Sequence, residues 1–242
     1  MKKLRLLVIM SLLLVIGGQA MAQVHGVLFL GASVPMKDYA DFNGVDNFAL
    51  VSNGGNAAAA IGFNGGIKWY FNVGVKGLDV LLSIDGIYNN INADAKAFYK
   101  DRQEVLDLLG NKVELTTPKY VNVPAMLGLS YIYHLNPNFG FYVEAGAGGN
   151  ARFITNYTEA YTDLLNIKHK STVNYETKFG FAYQAGLGIE VAKSLLIGCS
   201  FYNLGKTEVT AEKVGDVLST PLPLDGSSIR PIMVLGRIGL SF

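Results

Sequence analysis

The stretch VNVPAMLGLSYIY, residues 121–133, places an apolar side chain at every odd-numbered position. The positions between them hold a different set, which includes Asn122, Gly128 and Ser130. A period of two is typical of a β-strand whose two faces meet different surroundings. The second face is mostly small and carries no charge here, which favours the interior of a narrow barrel over a water-exposed sheet surface.

The same alternation recurs along the chain and predicts eight strands. They cover about 24–34, 61–71, 79–88, 121–133, 141–148, 178–190, 195–202 and 232–242. One face carries Phe, Tyr, Ile, Leu and Val, and the other carries Gly, Ser, Asn and Gln with isolated charges. The opening strand alternates only weakly, so its two faces stay unassigned.

Composition limits the class of protein. Half of the 242 residues are hydrophobic, 16% are charged and 28 are Gly, whereas soluble domains carry roughly 25% charged residues. The net charge of +1 and the lack of a basic stripe give no indication of a nucleic-acid partner. The single Cys199 excludes an internal disulfide and a multi-cysteine zinc site.

Residues 1–22 show the three parts of a secretory signal peptide. A positively charged start (2–5) precedes an apolar run (6–16), and small residues (20–22) then form a cleavage site. The apolar run of about 11 residues is too short for an anchor, since a spanning helix needs roughly 20. We therefore expect an exported protein with a single domain over 23–242.

Later apolar stretches are short and are interrupted by Gly, Asn or charge, so none predicts a membrane helix. Any membrane span must then consist of strands. Strands satisfy their backbone groups in lipid only when they close into a barrel. The sequence therefore predicts an all-β fold, a closed antiparallel up-and-down transmembrane barrel of about eight strands.

The connections between the predicted strands alternate in length. Three are short, at 72–77, 135–138 and 191–194. Four are long, at about 35–59, 90–118, 153–174 and 205–229. Short periplasmic turns and long extracellular loops are typical of outer-membrane barrels, and this pattern places both termini in the periplasm. The long loops are polar, except that residues 95–109 repeat apolar positions at helical spacing and predict a short helix.

The chain ends in Arg-Ile-Gly-Leu-Ser-Phe, with Phe242 last and apolar residues at alternate positions before it. This ending resembles the terminal-strand signal that the barrel-assembly machinery of bacteria recognises. With the signal peptide and the strands, residues 23–242 resemble the small outer-membrane barrel families of the OmpX/OmpA-like and PorT-like kind. The resemblance implies an outer-membrane location in a Gram-negative envelope, contact with outer-membrane lipid and lipopolysaccharide, and Phe242 as an assembly signal. In contrast to OmpA, we expect no peptidoglycan-binding domain after the barrel.

Candidate catalytic residues do not converge. His25, His134 and His169 fall at different ends of the predicted barrel and form no paired metal motif. No Ser, His and acid set can be assigned to one depth and one face, so we expect a protein that is not an enzyme. We expect neither a cofactor nor a metal.

Isolated charges on the second face are the candidate functional residues. Those expected toward the periplasmic ends of their strands are Lys68, Asp79, Glu190 and Arg237, and those nearer the middle or outer half are Asp85, Glu144 and Lys178. Buried charges must be paired or hydrated. We therefore expect ion-pair networks that plug the lumen, and both a structural network and a gate for small solutes remain open.

These observations predict a non-enzymatic outer-membrane barrel whose extracellular loops contact the surroundings or stabilise the envelope. A narrow porin-like transporter of small solutes is the first alternative. A secretion-system assembly factor, which the PorT-like resemblance implies, and a soluble lipocalin-like binding barrel are the others.

Overall fold

The computed structural model describes residues 24–41, 57–215 and 228–242. In this part of the chain, eight antiparallel strands form a closed barrel in which each strand pairs with the next barrel strand along the chain. The strands are β1 (Val24–Met36), β2 (Gly62–Asn72), β3 (Leu78–Asn89), β5 (Tyr120–Asn136), β6 (Phe139–Ile154), β9 (Lys178–Val191), β10 (Leu195–Asn203) and β14 (Ile232–Ser241). The predicted signal peptide lies outside the described residues.

The first and last strands close the barrel. The β1–β14 ladder runs from Val27 opposite Ser241 to Met36 opposite Ile232. At its end, the Phe242 N–H donates to the Gly26 carbonyl oxygen at 2.9 Å, and the Gly26 N–H donates back at 3.1 Å. The predicted closed antiparallel barrel is therefore confirmed.

The two faces of the strands point as the alternation predicts. Leu127 and Leu129 of β5 are 63% and 54% exposed, whereas Asn122 and Ser130 on its other face are buried. The structure also assigns the faces of β1, because Val27, Phe29 and Ser33 are buried and the even-numbered residues between them, 28, 30 and 32, are exposed. The apolar rows thus cover the outside of the barrel, and the small and polar rows fill its inside.

Tight turns join the strands at one end. Side-chain amides support two of them: Asn72 Oδ1 accepts the Gly74 N–H at 2.8 Å, and Asn136 Oδ1 accepts the Asn138 N–H at 2.9 Å. Gly74 and Gly77 both have φ of +80°, a left-handed conformation in which a Cβ would be strained. Short and long connections alternate around the barrel, as predicted, so the start of β1 and the end of β14 lie at the short-turn end.

The predicted loop helix is present as α1 (Ala93–Leu109). Asn92 precedes it and caps its first turn, since its Oδ1 accepts the Ala95 N–H at 2.9 Å. The Asn92 amide also donates to the Ala40 carbonyl oxygen at 2.8 Å, which ties this loop to the one after β1. Among the described residues, no helix combines the length and the apolar character needed to cross a membrane.

The long-loop end holds a second sheet that the sequence analysis did not anticipate. Its strands are β4 (Gly110–Thr116), β7 (Tyr157–Asp163), β8 (Lys168–Tyr175) and β12 (Ala211–Gly215), in the order β12-β8-β7-β4. A two-residue ladder joins β11 (Thr207–Glu208) to β13 (Ser228–Ile229). The signal that could have revealed the β7–β8 hairpin is the run of Tyr, Thr and Val on both sides of residues 163–167.

Loop residues pack into the mouth of the barrel at this end. Buried side chains from the barrel wall, such as Met126 and Leu235, share one apolar cluster with loop side chains. The loop members include Tyr39, Ala57, Ala58, Ala59, Ile91, Ala95, Tyr99, Tyr157, Val173 and Ile229. We call this cluster the apolar cap. It covers the lumen at the long-loop end.

Candidate functional site in the barrel lumen

Four charged side chains meet inside the barrel, and we call them the lumen quartet. They are Lys68 of β2, Asp85 of β3, Glu144 of β6 and Arg237 of β14. Each occupies an inward position of its strand's alternation and is at most 4% exposed. The quartet contains two positive and two negative groups, so its formal charge balances.

Glu144 of β6 accepts contacts from side chains of two other strands, β2 and β10. Lys68 Nζ forms a salt bridge with Glu144 Oε1. The Ser200 hydroxyl donates to the same carboxylate at 3.3 Å and the Tyr70 hydroxyl at 3.4 Å. Lys68 Nζ also lies 4.9 Å from the centre of the Phe29 ring, a cation–π contact that helps to offset its loss of water.

Asp85 and Arg237 form the second pair. Arg237 Nη2 lies 3.1 Å from Asp85 Oδ1 without hydrogen-bond alignment, so this pair is held by charge. The Tyr202 hydroxyl donates to Asp85 Oδ2 at 2.8 Å, and Arg237 Nε donates to Asn64 Oδ1 at 3.0 Å. The guanidinium also lies 5.0 Å from the centre of the Tyr202 ring.

Both ion pairs join strands that are not neighbours in the barrel. Lys68 and Glu144 come from β2 and β6, and Asp85 and Arg237 come from β3 and β14. The side chains must therefore cross the lumen to meet. Because two buried charges repay their desolvation only when closely paired, the arrangement favours a filled cross-section over an open one.

The other predicted site residues lie apart from the quartet. Asp79 is buried near the short turns, where its carboxylate accepts the Asn72 amide at 3.3 Å. Glu190 Oε2 lies 2.9 Å from His134 Nε2. Lys178 lies at the long-loop end of β9, where its Nζ bonds Glu176 at 2.7 Å, so the structure does not bring it to the quartet.

The grouping of two residues also differs from expectation. Lys68 and Arg237 were expected with Asp79 and Glu190 toward one end of the barrel, but their charged groups pair with those of Glu144 and Asp85.

A cavity of about 330 Å³ lies at the short-turn end. It is lined by His25, Asn72, Gly77, Asp79, Ile132, His134, Glu190, Lys193 and Ser241. The His25 ring stacks on Tyr70, with 4.8 Å between ring centres, and Tyr70 in turn reaches Glu144. The cavity is thus a vestibule that is linked to Glu144 through the His25 and Tyr70 side chains.

A polar layer that the sequence analysis did not single out lies toward the long-loop end. Asn89 donates to the Ser33 hydroxyl at 3.1 Å, and Asn150 donates to Asn122 at 3.1 Å. Arg152 is buried and donates to the carbonyl oxygens of Ile229 and Gly205 at 3.1 and 3.4 Å. Asn122 occupies an inward position of the predicted alternation, which was the signal available; Asn89, Asn150 and Arg152 lay beyond the predicted ends of their strands.

Two Tyr side chains of the apolar cap are uncharged. Tyr39 and Tyr99 are almost fully buried in it. Burial raises the pKa of both phenols above the ordinary value, so they stay protonated across the physiological range. The cap therefore adds no charge to the mouth of the barrel through these two residues.

Within the described ranges, 24–41, 57–215 and 228–242, the three histidines lie at opposite ends of the barrel. His25 and His134 line the vestibule, whereas His169 Nε2 lies 3.1 Å from Asp163 Oδ2 in the long-loop sheet. No group of three or more His, Cys, Asp or Glu side chains in these ranges could hold a metal ion. Cys199 is exposed on the outer face of β10.

No protein-family model and no curated protein matches the chain. Solved structures do match it in shape. Ail, the attachment invasion locus protein of Yersinia pestis, covers 92% of this chain and 100% of its own at 14% identity, with a TM-score of 0.40. Neisserial surface protein A covers 90% and 95% at 11% identity (TM-score 0.44), and OprG of Pseudomonas aeruginosa covers 93% and 98% at 11% (TM-score 0.45).

Ail and OprG are outer membrane proteins. At identities this low the likeness concerns shape and says nothing of role. The chain's own β1–β14 closure confirms, as to fold, the resemblance to small eight-stranded outer-membrane barrels that the sequence analysis drew.

Proposed function

We propose that this protein is a non-enzymatic integral barrel of the bacterial outer membrane, closed to solutes, whose long loops act at the cell surface. Both termini then lie in the periplasm, and lipopolysaccharide and lipid surround the wall. The observation that carries the proposal is the double closure of the lumen. The quartet fills the middle of the barrel, and the apolar cap covers its long-loop end.

The outer surface supports a membrane location over a soluble lipocalin-like barrel. Large apolar side chains such as Phe179, Phe181 and Leu127 are 78%, 68% and 63% exposed. Outward positions of the eight barrel strands carry no charged residue in the described part of the chain. A Lys or Arg there would cost roughly 2–4 kcal/mol at the bilayer midplane, whereas in water such a surface would promote aggregation.

Cell fractionation combined with heat-modifiability on a gel tests the location. We expect the protein in the detergent-soluble outer-membrane fraction, with a folded band that migrates differently after boiling. Release from membranes by salt alone would instead support the soluble barrel. Trypsin added to intact cells should cut at Lys168 and Lys170, both exposed in the long-loop sheet, if that end faces outward.

Conductance separates a structural plug from a gate. We expect the wild-type protein to give no single-channel current and no liposome swelling. The Glu144→Ala and Arg237→Ala variants should melt at lower temperature and stay closed, because the apolar cap remains. Current in the wild type, or current that appears only in these variants, would support the porin-like alternative.

We further propose that the barrel-assembly machinery recognises Phe242. The Phe242 ring lies against Gly26 of β1, so the residue also packs the seam. Phe242→Ala should lower the folded yield in cells but not refolding of purified chain in detergent. An equal loss in both settings would mean that Phe242 contributes seam packing alone.

A further inference from the structure

The β7–β8 hairpin ends in three apolar side chains that point into solvent, and we call them the apolar tip. Leu164, Leu165 and Ile167 are 82%, 79% and 51% exposed. They lie in the turn after Asp163, within the second sheet and outside the barrel wall. Large apolar residues so concentrated at an exposed turn mark a surface that contacts something apolar.

The turn that carries the apolar tip is internally hydrogen-bonded. Asp163 Oδ1 accepts the N–H groups of Leu165 and Ile167 at 2.9 and 2.8 Å. The Asn166 N–H donates to the Asp163 carbonyl oxygen at 3.0 Å, and Asn166 adopts a left-handed φ of 63°. These N–H groups would remain satisfied if the tip left water, so insertion into an apolar layer avoids most of the usual backbone cost.

Positive charge lies directly behind the apolar tip. Lys168 and Lys170 are exposed and share one face of β8, where they pair with Thr162 and Ala160 of β7. Of the acidic groups nearby, Asp163 and Glu159 are engaged on the other face, whereas Glu114 of β4 is exposed on the lysine face, opposite Ala160. Asp163 is held by the turn and by His169, and Glu159 accepts the Tyr157 hydroxyl at 2.9 Å.

We propose that the apolar tip inserts into an anionic lipid surface that faces the long-loop end, with Lys168 and Lys170 against the headgroup phosphates. Apolar side chains with lysines at headgroup height are the pattern of interfacial membrane binding. A convex tip of three side chains suits a deformable lipid layer, whereas a protein partner would need a matching pocket. The inference rests on the proposed function in that this end must face away from the cell.

Vesicle flotation tests the inference with the full chain in nanodiscs. The probes are vesicles of phosphatidylcholine alone and of phosphatidylcholine with phosphatidylglycerol. We expect co-flotation with the anionic vesicles. Replacing the tip (Leu164→Ser, Leu165→Ser, Ile167→Ser) should weaken this binding at least tenfold or so.

The charge contribution and the control are separate variants. Lys168→Gln with Lys170→Gln should weaken binding to anionic vesicles by about tenfold or more. Leu108→Ser is the matched control, because Leu108 lies on α1 and is 83% exposed, as much as Leu164. It should bind like the wild type.

Three outcomes would overturn the inference: no flotation of the wild type, equal flotation with neutral vesicles, or equal loss in the Leu108→Ser control. Tip-dependent dimerisation without vesicles would also overturn it, since the occupant would then be a second copy. A chain that fails to enter nanodiscs as a heat-modifiable barrel would contradict the proposed function instead. A wild type that inserts and ignores vesicles would contradict the tip inference alone.

Discussion

Glu144 accepts polar contacts from three side chains in the lumen and is 4% exposed. Its carboxylate compensates the positive charge of Lys68. Lys68 is 1% exposed, so water cannot solvate that charge instead. A buried pair of this kind adds little net stability over apolar residues of similar size. Its consequence appears when one partner is lost, because the other charge is then left without compensation.

Glu144→Gln should therefore destabilise the barrel by about 3–5 kcal/mol. The double variant Lys68→Met with Glu144→Leu should recover most of that loss, because it removes both charges. The gel-shift midpoint temperature and urea unfolding in detergent measure these differences. Glu104→Gln is the control, since Glu104 pairs with Lys100 on the exposed surface of α1 and should change stability by less than about 1 kcal/mol.

If Glu144→Gln and Glu104→Gln shift the midpoint equally, burial does not govern the quartet. If the double variant is as unstable as the single one, uncompensated charge is not the cause of the loss.

At the scale of elements, the stability of the barrel depends on the space between side chains of neighbouring strands. The Tyr142 ring points inward from β6 and lies over Gly188 and Gly198 of β9 and β10. A Cβ added at Gly198 would overlap the Tyr142 hydroxyl and lie 2.6 Å from the Leu187 carbonyl oxygen. The glycines thus provide the space that a large inward aromatic needs in a narrow lumen.

Gly198→Ala should destabilise the barrel by roughly 1–3 kcal/mol through this crowding. Gly236→Ala on the adjacent strand is the matched control, because nothing lies within 4 Å of its Cβ position. Urea unfolding of both variants checks the difference. A larger effect at Gly236 would show that strand conformation matters more than contact with Tyr142.

The β7–β8 turn should respond to acid. The pKa of Asp163 lies below its ordinary value of 3.8, because its carboxylate accepts the Ile167 N–H and lies beside His169. A lowered folded-state pKa means that the carboxylate stabilises the turn above about pH 4, and that this contribution is lost as the pH falls through the lowered value. The protection factors for amide hydrogen exchange at Leu165 and Ile167 should therefore fall only in that acidic range.

Asp163→Asn keeps an acceptor oxygen but does not titrate, so its exchange rates should lack this acid-dependent step. If the step persists in the variant, another group controls the turn.

The sequence predicted the barrel strands well because lipid outside and a packed lumen inside impose opposite demands on alternate residues. The bounds that this contrast predicts for β3 and β5 agree with the structure to within a few residues. The strands of the second sheet lack it: Thr158, Glu159 and Ala160 are all half-buried, so no clear period of two arises. Alternation also cannot say that Lys68 meets Glu144, because pairing across a lumen depends on strand tilt and register.

At the scale of the whole molecule, two layers stack along the barrel axis. The eight-stranded wall is closed by hydrogen bonds alone. The second sheet is a separate sheet that packs against the wall through residues of the apolar cap such as Tyr157 and Val173. The wall should therefore be able to form without the hairpin. The reverse does not hold, because the hairpin's buried face is completed by barrel residues.

Replacing residues 157–175 by a short Gly/Ser link should leave a heat-modifiable barrel with a lower midpoint temperature. The loss follows from removing two buried members of the cap, each worth about 1.5–3 kcal/mol when fully buried. A gel-shift series compares it with the wild type. Complete failure to fold, in cells and in detergent alike, would show that the second sheet is needed to form the wall.

The hydrogen bonds between Gly26 and Phe242 place the start of β1 beside the end of β14. Any strand of the closed barrel could then come first in the chain. A short linker between β14 and β1 would allow new termini to be placed in any of the long connections. In such a circular permutant the order of synthesis is separated from the order of pairing. A permutant that folds in detergent yet fails in cells would show that the cell reads the position of Phe242 at the end of the chain.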